Sequence, residues 1–101
     1  MLAMLDRKNN TIGIHTVSIG SLTASVVHPG EVYKPAILAN AAAILLCHNH
    51  PSGDPHPSQE DRVLTQRLVE AGKLLGITVL DHIVLGDGTL AYYSFADNNI
   101  L

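Results

Sequence analysis

The residues of this chain that are best suited to chemistry lie in one stretch, residues 48–61, with the sequence HNHPSGDPHPSQED. Side chains two positions apart on an extended segment point to the same side, so His48 and His50 can face one metal ion. Zinc accepts imidazole nitrogen and carboxylate oxygen, and a catalytic zinc has three protein ligands with a fourth position open. Asp61, in the first turn of the next helix, is the candidate for the third ligand. The stretch therefore predicts a metal site formed by His48, His50 and Asp61.

A purely structural interpretation of the same residues is also open. Ser58 and Asp61, three positions apart, are close to a capping box, which helix N-termini use without any catalysis. His48 and His50 taken alone are as compatible with solvated loop histidines as with metal ligands. Taken together, the histidine pair, the seven-residue gap, the serine and the aspartate favour a metal site over a stiff loop that leads into a capped helix.

The pattern H-x-H-x7-S-x-x-D resembles the motif of the JAMM (JAB/MPN) metalloprotease-like domains, and it is formed here by His48, His50, Ser58 and Asp61. The surrounding HNHPSGDPHPSQED and the later LLGITVLDHIVLGDG are similar to the bacterial RadC-like branch, over nearly the whole chain. The resemblance implies a cytidine-deaminase-like α/β fold in which His48, His50 and Asp61 hold Zn2+, and a zinc-activated water attacks an amide bond. It also implies that Ser58 helps to stabilise the oxyanion formed at the amide carbonyl.

The resemblance further implies a general base, a glutamate on an element upstream of the metal loop. In RadC-like chains this glutamate is expected a few residues before the segment that matches Leu5-Asp6, which would be before residue 1. Glu31 is the only glutamate between residue 1 and the loop, and it is the candidate base within the chain. Its structural interpretation is a carboxylate that favours the positive end of a helix dipole. Glu60, about 100° around the helix from Asp61, is expected to face solvent.

Two functions from different classes remain open. The first is a zinc-dependent metallopeptidase or isopeptidase-like hydrolase that acts on a protein or peptide. The second is a non-catalytic JAB/MPN-fold module for protein interaction or a DNA-repair-associated assembly. A zinc deaminase is set aside because it needs a P-C-x-x-C segment, whereas Cys47 is the single cysteine of this chain.

Composition limits the remaining classes of protein. The chain has 101 residues, of which 47% are hydrophobic and 15% charged, enough for one domain with a core and too few for two. A net charge of −3 without a Lys/Arg cluster gives no support for direct nucleic-acid binding. The single cysteine excludes an internal disulfide and fits a cytoplasmic location, and no apolar run approaches the roughly 20 residues that span a membrane.

The elements that must position the loop are predicted from the apolar pattern. A stripe formed by Leu64, Leu68, Ala71 and Leu75 indicates an amphipathic helix that ends at Gly76. A continuous apolar run indicates a central strand. The helix predicted before that strand contains Pro35, and if this proline lies beyond the first turn, the helix would start later than Glu31. The predicted strands are 1–5, 11–18, 22–27, 41–47, 77–85 and 89–95, with a helix over 31–40 and a Gly86-Asp87-Gly88 hairpin turn.

This order of elements predicts a mixed β-sheet with packed helices, in one domain over residues 1–101. A strand that starts at residue 1 predicts an N-terminally truncated fragment of a longer protein. Exposed edge strands in such a sheet favour self-pairing, so a homodimer is one expected arrangement.

Other polar residues receive structural predictions. Asp81-His82 lies in an apolar strand and is expected to be a hydrogen-bonded core pair; the alternative is that Asp81 orients a zinc-binding histidine. His56 is expected to be a solvated loop residue. Cys47, on the opposite face of its strand from the ligands, is expected to be a small buried hydrophobic residue.

Overall fold

The computed structural model of the chain describes residues 1–15, 28–50, 52–86 and 88–101. Within these ranges the elements are β1 (Leu2–Leu5), β2 (Thr11–His15), α1 (Pro29–Leu38), β3 (Ala43–His50), α2 (Gln59–Leu75), β4 (Thr78–Gly86) and β5 (Tyr92–Ser94). The strands form one sheet in the order β2-β1-β3-β4-β5. β3 and β4 are parallel, and the other neighbouring pairs are antiparallel. The chain therefore has the predicted α/β architecture, a mixed sheet with packed helices.

β3 is the central strand of the sheet, as its apolar run predicts. It extends to His50 instead of ending at Cys47, so both histidines of the loop motif are still part of the sheet. The parallel pairing of β3 with β4 requires a crossover, which the loop and α2 provide. One face of β3 packs in a cluster of buried residues made by Leu2, Met4, Val32, Tyr33, Ala36, Ala41, Ile44, Leu46, Leu64, Leu68, Ile77 and Val79.

α1 begins earlier than its proline content predicts. It starts at Pro29, and Pro35 lies inside it. A proline in the first turn is favourable, because its missing N–H would have no partner there and its φ is already helical. Pro35 removes one backbone hydrogen bond, to the Glu31 carbonyl, and the helix continues through it. The helix ends before Asn40, which adopts a positive φ of 56°.

α2 has both of its predicted ends. Ser58 is the N-cap and forms a capping box with Asp61, and Gly76 ends the helix in the left-handed conformation at φ 73°. Of the predicted stripe, Leu64 and Leu68 are fully buried, whereas Leu75 remains 48% exposed. The chain reverses at Gly76, and Ile77, rather than Leu75, is buried in the core cluster.

The C-terminal hairpin is present, but its second strand is shorter than predicted. β4 and β5 pair antiparallel with Val84 opposite Tyr93. The side chain of Thr89 accepts the Ala91 N–H at 3.1 Å and donates to the Gly86 carbonyl, so this segment forms a turn instead of a strand. The predicted strand 22–27, the end of the predicted strand 11–18, and Asp87 lie outside the described residues. No helix in the described ranges has the length and hydropathy needed to cross a membrane.

Replacing a glycine inside a helix by alanine usually stabilises a protein, but we expect the opposite at Gly72 in α2. A Cβ at Gly72 would overlap the carbonyl oxygen of Ile77 and lie 2.6 Å from the Tyr33 hydroxyl. We expect Gly72→Ala to lower the free energy of unfolding by about 1–3 kcal/mol through overpacking. Gly30→Ala, at a helical site where a Cβ would meet only Cε of Lys34 at 4.0 Å, is the control and is expected to be neutral or mildly stabilising. Urea unfolding measures both; equal midpoints for the two variants would contradict the prediction.

Candidate metal centre

Three side chains with metal-binding atoms come together where β3 ends and α2 begins. Nε2 of His48 lies 3.2 Å from Nε2 of His50. The Asp61 carboxylate lies 3.4 Å from Nε2 of His48 and 3.1 Å from Nε2 of His50, through different oxygens. The structure therefore brings His48, His50 and Asp61 into one group, as the spacing predicts, although they are separated by a loop in the sequence.

The spacing of these three side chains suits a single small metal ion. One ligand atom from each of them can be chosen so that all three atoms lie within 4.8 Å of one another. The shortest approaches between the side chains, 3.1 to 3.4 Å, involve both Asp61 oxygens and are similar to the roughly 3.3 Å between neighbouring ligand atoms of a tetrahedral zinc ion. Among the described residues, no other group of three His, Cys, Asp or Glu side chains is placed to hold a metal ion.

The Asp61 carboxylate faces the histidines and closes the capping box with the same oxygen. Oδ2 accepts the backbone N–H of Ser58 at 2.7 Å, while the Asp61 N–H donates to Oγ of Ser58 at 3.1 Å. The Ser58 N–H favours the ionised carboxylate, which is the form that binds a metal ion. The capping and metal-binding interpretations of Asp61 are thus compatible in one geometry.

Each histidine of the group is held by its other ring nitrogen. Nδ1 of His50 lies 3.0 Å from the carbonyl oxygen of Asp54, to which it can only donate. Nδ1 of His48 lies 2.8 Å from Nε2 of His82 on β4. Such second contacts orient a metal-binding imidazole and leave its free nitrogen available for the ion.

His82 is a member of the site that the sequence analysis did not identify. It is fully buried, and its ring stacks on Phe95 with centroids 4.8 Å apart. Its Nδ1 lies 2.5 Å from Oγ1 of Thr65 in α2. Burial, and then the neighbouring His48, lower the pKa of His82 to about 4, so the ring is neutral at pH 7. A sequence signal for Thr65 did exist, because it lies four residues after Asp61 on the same helix face.

Asp81 does not take the alternative role of orienting a ligand histidine. Its carboxylate accepts the Ser94 hydroxyl at 2.5 Å and the Ala96 N–H at 3.0 Å. The reason is a register shift in β4, where Leu80 is an extra residue between the pairs made by its neighbours. Strict alternation from Val79 would put Asp81 on the face covered by the helices, but the shift puts His82 there instead.

Of the two predicted catalytic residues, Ser58 contacts a candidate metal ligand, whereas Glu31 lies on another helix. Ser58 is exposed at the start of α2, and its Oγ accepts the Asp61 N–H. Glu31 is exposed in the first turn of α1 and does not belong to the group of three. The catalytic roles of Ser58 and Glu31 remain predictions.

The nearby His56 and Cys47 are placed away from the three metal-facing atoms. The His56 side chain is 79% exposed and donates from Nδ1 to the Asp54 carboxylate at 2.8 Å, as expected of a solvated loop residue. Hydrogen bonds from His56 lower the pKa of Asp54. Cys47 is only partly buried, less than predicted, and this burial raises the pKa of its thiol.

The loop between β3 and α2 passes close to β4 at a glycine, Gly86. Gly86 lies opposite His50 in the parallel ladder, and a Cβ there would overlap the carbonyl oxygen of Gly53. Gly53 has a positive φ of 85°, and its N–H bonds to the His50 carbonyl at 3.0 Å. Gly53 therefore lies close to both His50 and β4, and the loop continues from there to α2.

Comparison with known proteins relates nearly the whole chain to one family. The model of the RadC-like JAB domain matches residues 1–100. A UPF0758 protein of Moorella thermoacetica is 57% identical over 97 residues, which are 96% of this chain and 42% of that protein. A UPF0758 protein of Alkaliphilus metalliredigens is 56% identical over 100 residues, which are 99% of this chain and 42% of that protein. The chain thus spans less than half the length of these relatives.

Proposed function

This chain belongs to the RadC-like JAB domain family, and on that premise we propose that it carries the metal site of a zinc-dependent metallohydrolase of the JAMM type. The proposed reaction is hydrolysis of an amide bond in a protein or peptide. The observation that supports it is the group formed by His48, His50 and Asp61, which can each offer one ligand atom within 4.8 Å of the other two. Helix capping alone would require Asp61 and Ser58 but not two imidazoles directed at the same carboxylate.

The residues of the site have separate proposed tasks. His48, His50 and Asp61 would hold the zinc ion, which when bound supplies a Lewis acid that lowers the pKa of water and polarises a carbonyl oxygen. The Ser58 hydroxyl accepts the Asp61 N–H, so its own proton is free for a substrate carbonyl oxygen. A hydroxyl in that position would stabilise negative charge that develops on the carbonyl oxygen.

The proposed general base is a carboxylate brought beside His48 by the first strand. Met1 and Cys47 exchange backbone hydrogen bonds of 2.7 and 3.0 Å across β1 and β3. In a chain that continues β1 toward its N-terminus, the residue before Met1 would therefore lie opposite His48. Opposed residues of an antiparallel pair share one face of the sheet, so a glutamate there would face the metal site. Glu31 is the alternative base within the present chain.

The experiment that tests this function compares two zinc-loaded proteins on a peptide library analysed by mass spectrometry. The first is this chain, and the second is the same chain preceded by the N-terminal segment of the Moorella thermoacetica relative. We expect zinc-dependent peptide cleavage by the extended protein, and its loss in the His50→Ala variant. Zinc binding by both proteins without cleavage by either would refute hydrolysis and favour the non-catalytic module.

The non-catalytic alternative has one observation in its favour. Glu31, the single glutamate before the loop, is exposed in the first turn of α1, in a different element from the three candidate ligands. On that reading the fold would bind a protein partner or a second copy of this chain. With a net charge of −3, direct contact with nucleic acid is not proposed. For either function we propose a cytoplasmic location, which fits the single cysteine.

A further inference from the structure

A buried chain of hydrogen bonds connects two members of the metal-binding group behind the site. Nδ1 of His48 lies 2.8 Å from Nε2 of His82, and Nδ1 of His82 lies 2.5 Å from Oγ1 of Thr65. The Thr65 hydroxyl donates to the backbone carbonyl of Asp61 at 2.8 Å. Thr65 and His82 are both buried, with at most 1% of their surface exposed. The two residues that connect the His48 ring to the backbone of Asp61 are therefore shielded from solvent.

The donor and acceptor of each hydrogen bond in this chain can be assigned from the Asp61 carbonyl, which can only accept. The Asp61 carbonyl has no proton, so the Thr65 hydroxyl donates to it and offers only lone pairs to His82. Nδ1 of His82 must then carry a proton. A fully buried imidazole is neutral, so Nε2 of His82 accepts from Nδ1 of His48. His48 is thus held with its proton on Nδ1 and the lone pair of Nε2 directed at Asp61 and His50.

The other tautomer of His82 would prevent His48 from binding a metal ion. If His82 carried its proton on Nε2, His48 would accept at Nδ1 and would carry a proton on the atom that faces Asp61. A protonated nitrogen has no lone pair for a metal ion. A proton on Nε2 of His48 would be stabilised by the Asp61 carboxylate, but this contact is 3.4 Å long. The bond between Nδ1 of His48 and Nε2 of His82 is shorter, 2.8 Å, and is therefore the stronger of the two.

We propose that Thr65 is a positioning residue for the metal centre, which acts through His82 to hold His48 in the metal-binding tautomer. The inference rests on the proposed metal site, but it concerns the state of His48 before any ion binds. Thr65 occupies a core-facing position of α2 between Leu64 and Leu68, where an apolar side chain would avoid burying a hydroxyl. The register shift at Leu80 brings His82 to the same face of the sheet, so the partner of the hydroxyl comes from a different element.

The test uses two replacements of Thr65 and one control. Thr65→Val removes the hydroxyl at nearly constant volume, and Thr65→Ser retains it. Tyr33→Phe is the matched control, because the Tyr33 hydroxyl is also buried and also donates to an α2 carbonyl, that of Leu68 at 2.5 Å. Two quantities are measured on each protein: zinc affinity by competition with a chromophoric chelator, and the 15N shifts of the His48 ring in the metal-free protein.

We expect Thr65→Val to weaken zinc binding by about 10- to 100-fold, the range found for groups that orient metal ligands. The 15N shifts should show His48 protonated at Nδ1 in the original chain and in Thr65→Ser, and a mixture of tautomers in Thr65→Val. Tyr33→Phe should leave both quantities unchanged. A purely structural role for Thr65 would lower stability without altering the tautomer.

The outcomes separate this inference from the proposed function. Unchanged zinc affinity and unchanged His48 shifts in Thr65→Val would overturn the role of Thr65. Loss of affinity that is equal in Tyr33→Phe would also overturn it, because any buried hydroxyl would then have the same effect. If the original chain retains no zinc, the proposed metal site fails. The His48 shifts then decide the role of Thr65 alone: a change of tautomer in Thr65→Val supports it, and no change refutes it.

Discussion

The replacement of His50 by alanine is expected to abolish stoichiometric zinc binding. Nε2 of His50 is one of three candidate ligand atoms, and its Nδ1 is anchored by the Asp54 carbonyl, so the ring is already oriented. Removing a group that only orients a ligand costs roughly 10- to 100-fold in metal affinity. Loss of the ligand itself should therefore cost at least about 100-fold. Elemental analysis of purified, zinc-treated protein should give about one zinc per chain before the replacement and none after it.

His56→Ala is the matched control for this experiment. His56 belongs to the same loop, but its side chain is 79% exposed and contacts the Asp54 carboxylate rather than the group of three. We expect this variant to retain about one zinc per chain. Equal zinc loss in both variants would mean that the loop as a whole, and not His50, binds the ion. No zinc in the unmodified folded chain would refute the metal site.

The largest loss of stability is expected for Phe95→Ala. Phe95 is fully buried and stacks on His82, and it forms a T-shaped pair with Tyr93 with centroids 5.7 Å apart. Truncation of a buried phenylalanine to alanine typically costs about 3–5 kcal/mol, from lost transfer free energy and the cavity that remains. The free energy of unfolding of a domain is only about 5–15 kcal/mol, so this variant should be close to unfolding at 37 °C. Urea unfolding at 25 °C measures the difference.

Leu90→Ala provides the comparison for Phe95, because Leu90 belongs to the same C-terminal hairpin and is completely exposed. Its replacement should change the free energy of unfolding by no more than about 0.5 kcal/mol. Similar unfolding midpoints for the two variants would show that Phe95 does not pack as described. In the Phe95 variant that remains folded, zinc affinity should also fall, since His82 loses the ring that holds its plane.

Both ends of α2 and the common side of the two candidate histidine ligands were predictable, because each depends on local geometry. Alternation along a strand places His48 and His50 on one side whatever the rest of the fold. The capping box of Ser58 and Asp61 and the left-handed Gly76 involve residues within a single turn of chain. α1 starts at Pro29, earlier than Pro35 predicts, because burial of one helix face outweighs the single hydrogen bond that Pro35 removes.

The sequence by itself thus determined that the histidine pair and Asp61 would lie at a strand end and a helix start, and what chemistry they suit. Only the tertiary structure decided which residues hold them in place. The register shift at Leu80 exchanges the faces of Asp81 and His82. A bulge of this kind depends on how two strands pair across the sheet, and alternation within one strand cannot show it. The contact of Thr65 with His82 likewise joins a helix to a strand, so it exists only after α2 has packed on the sheet.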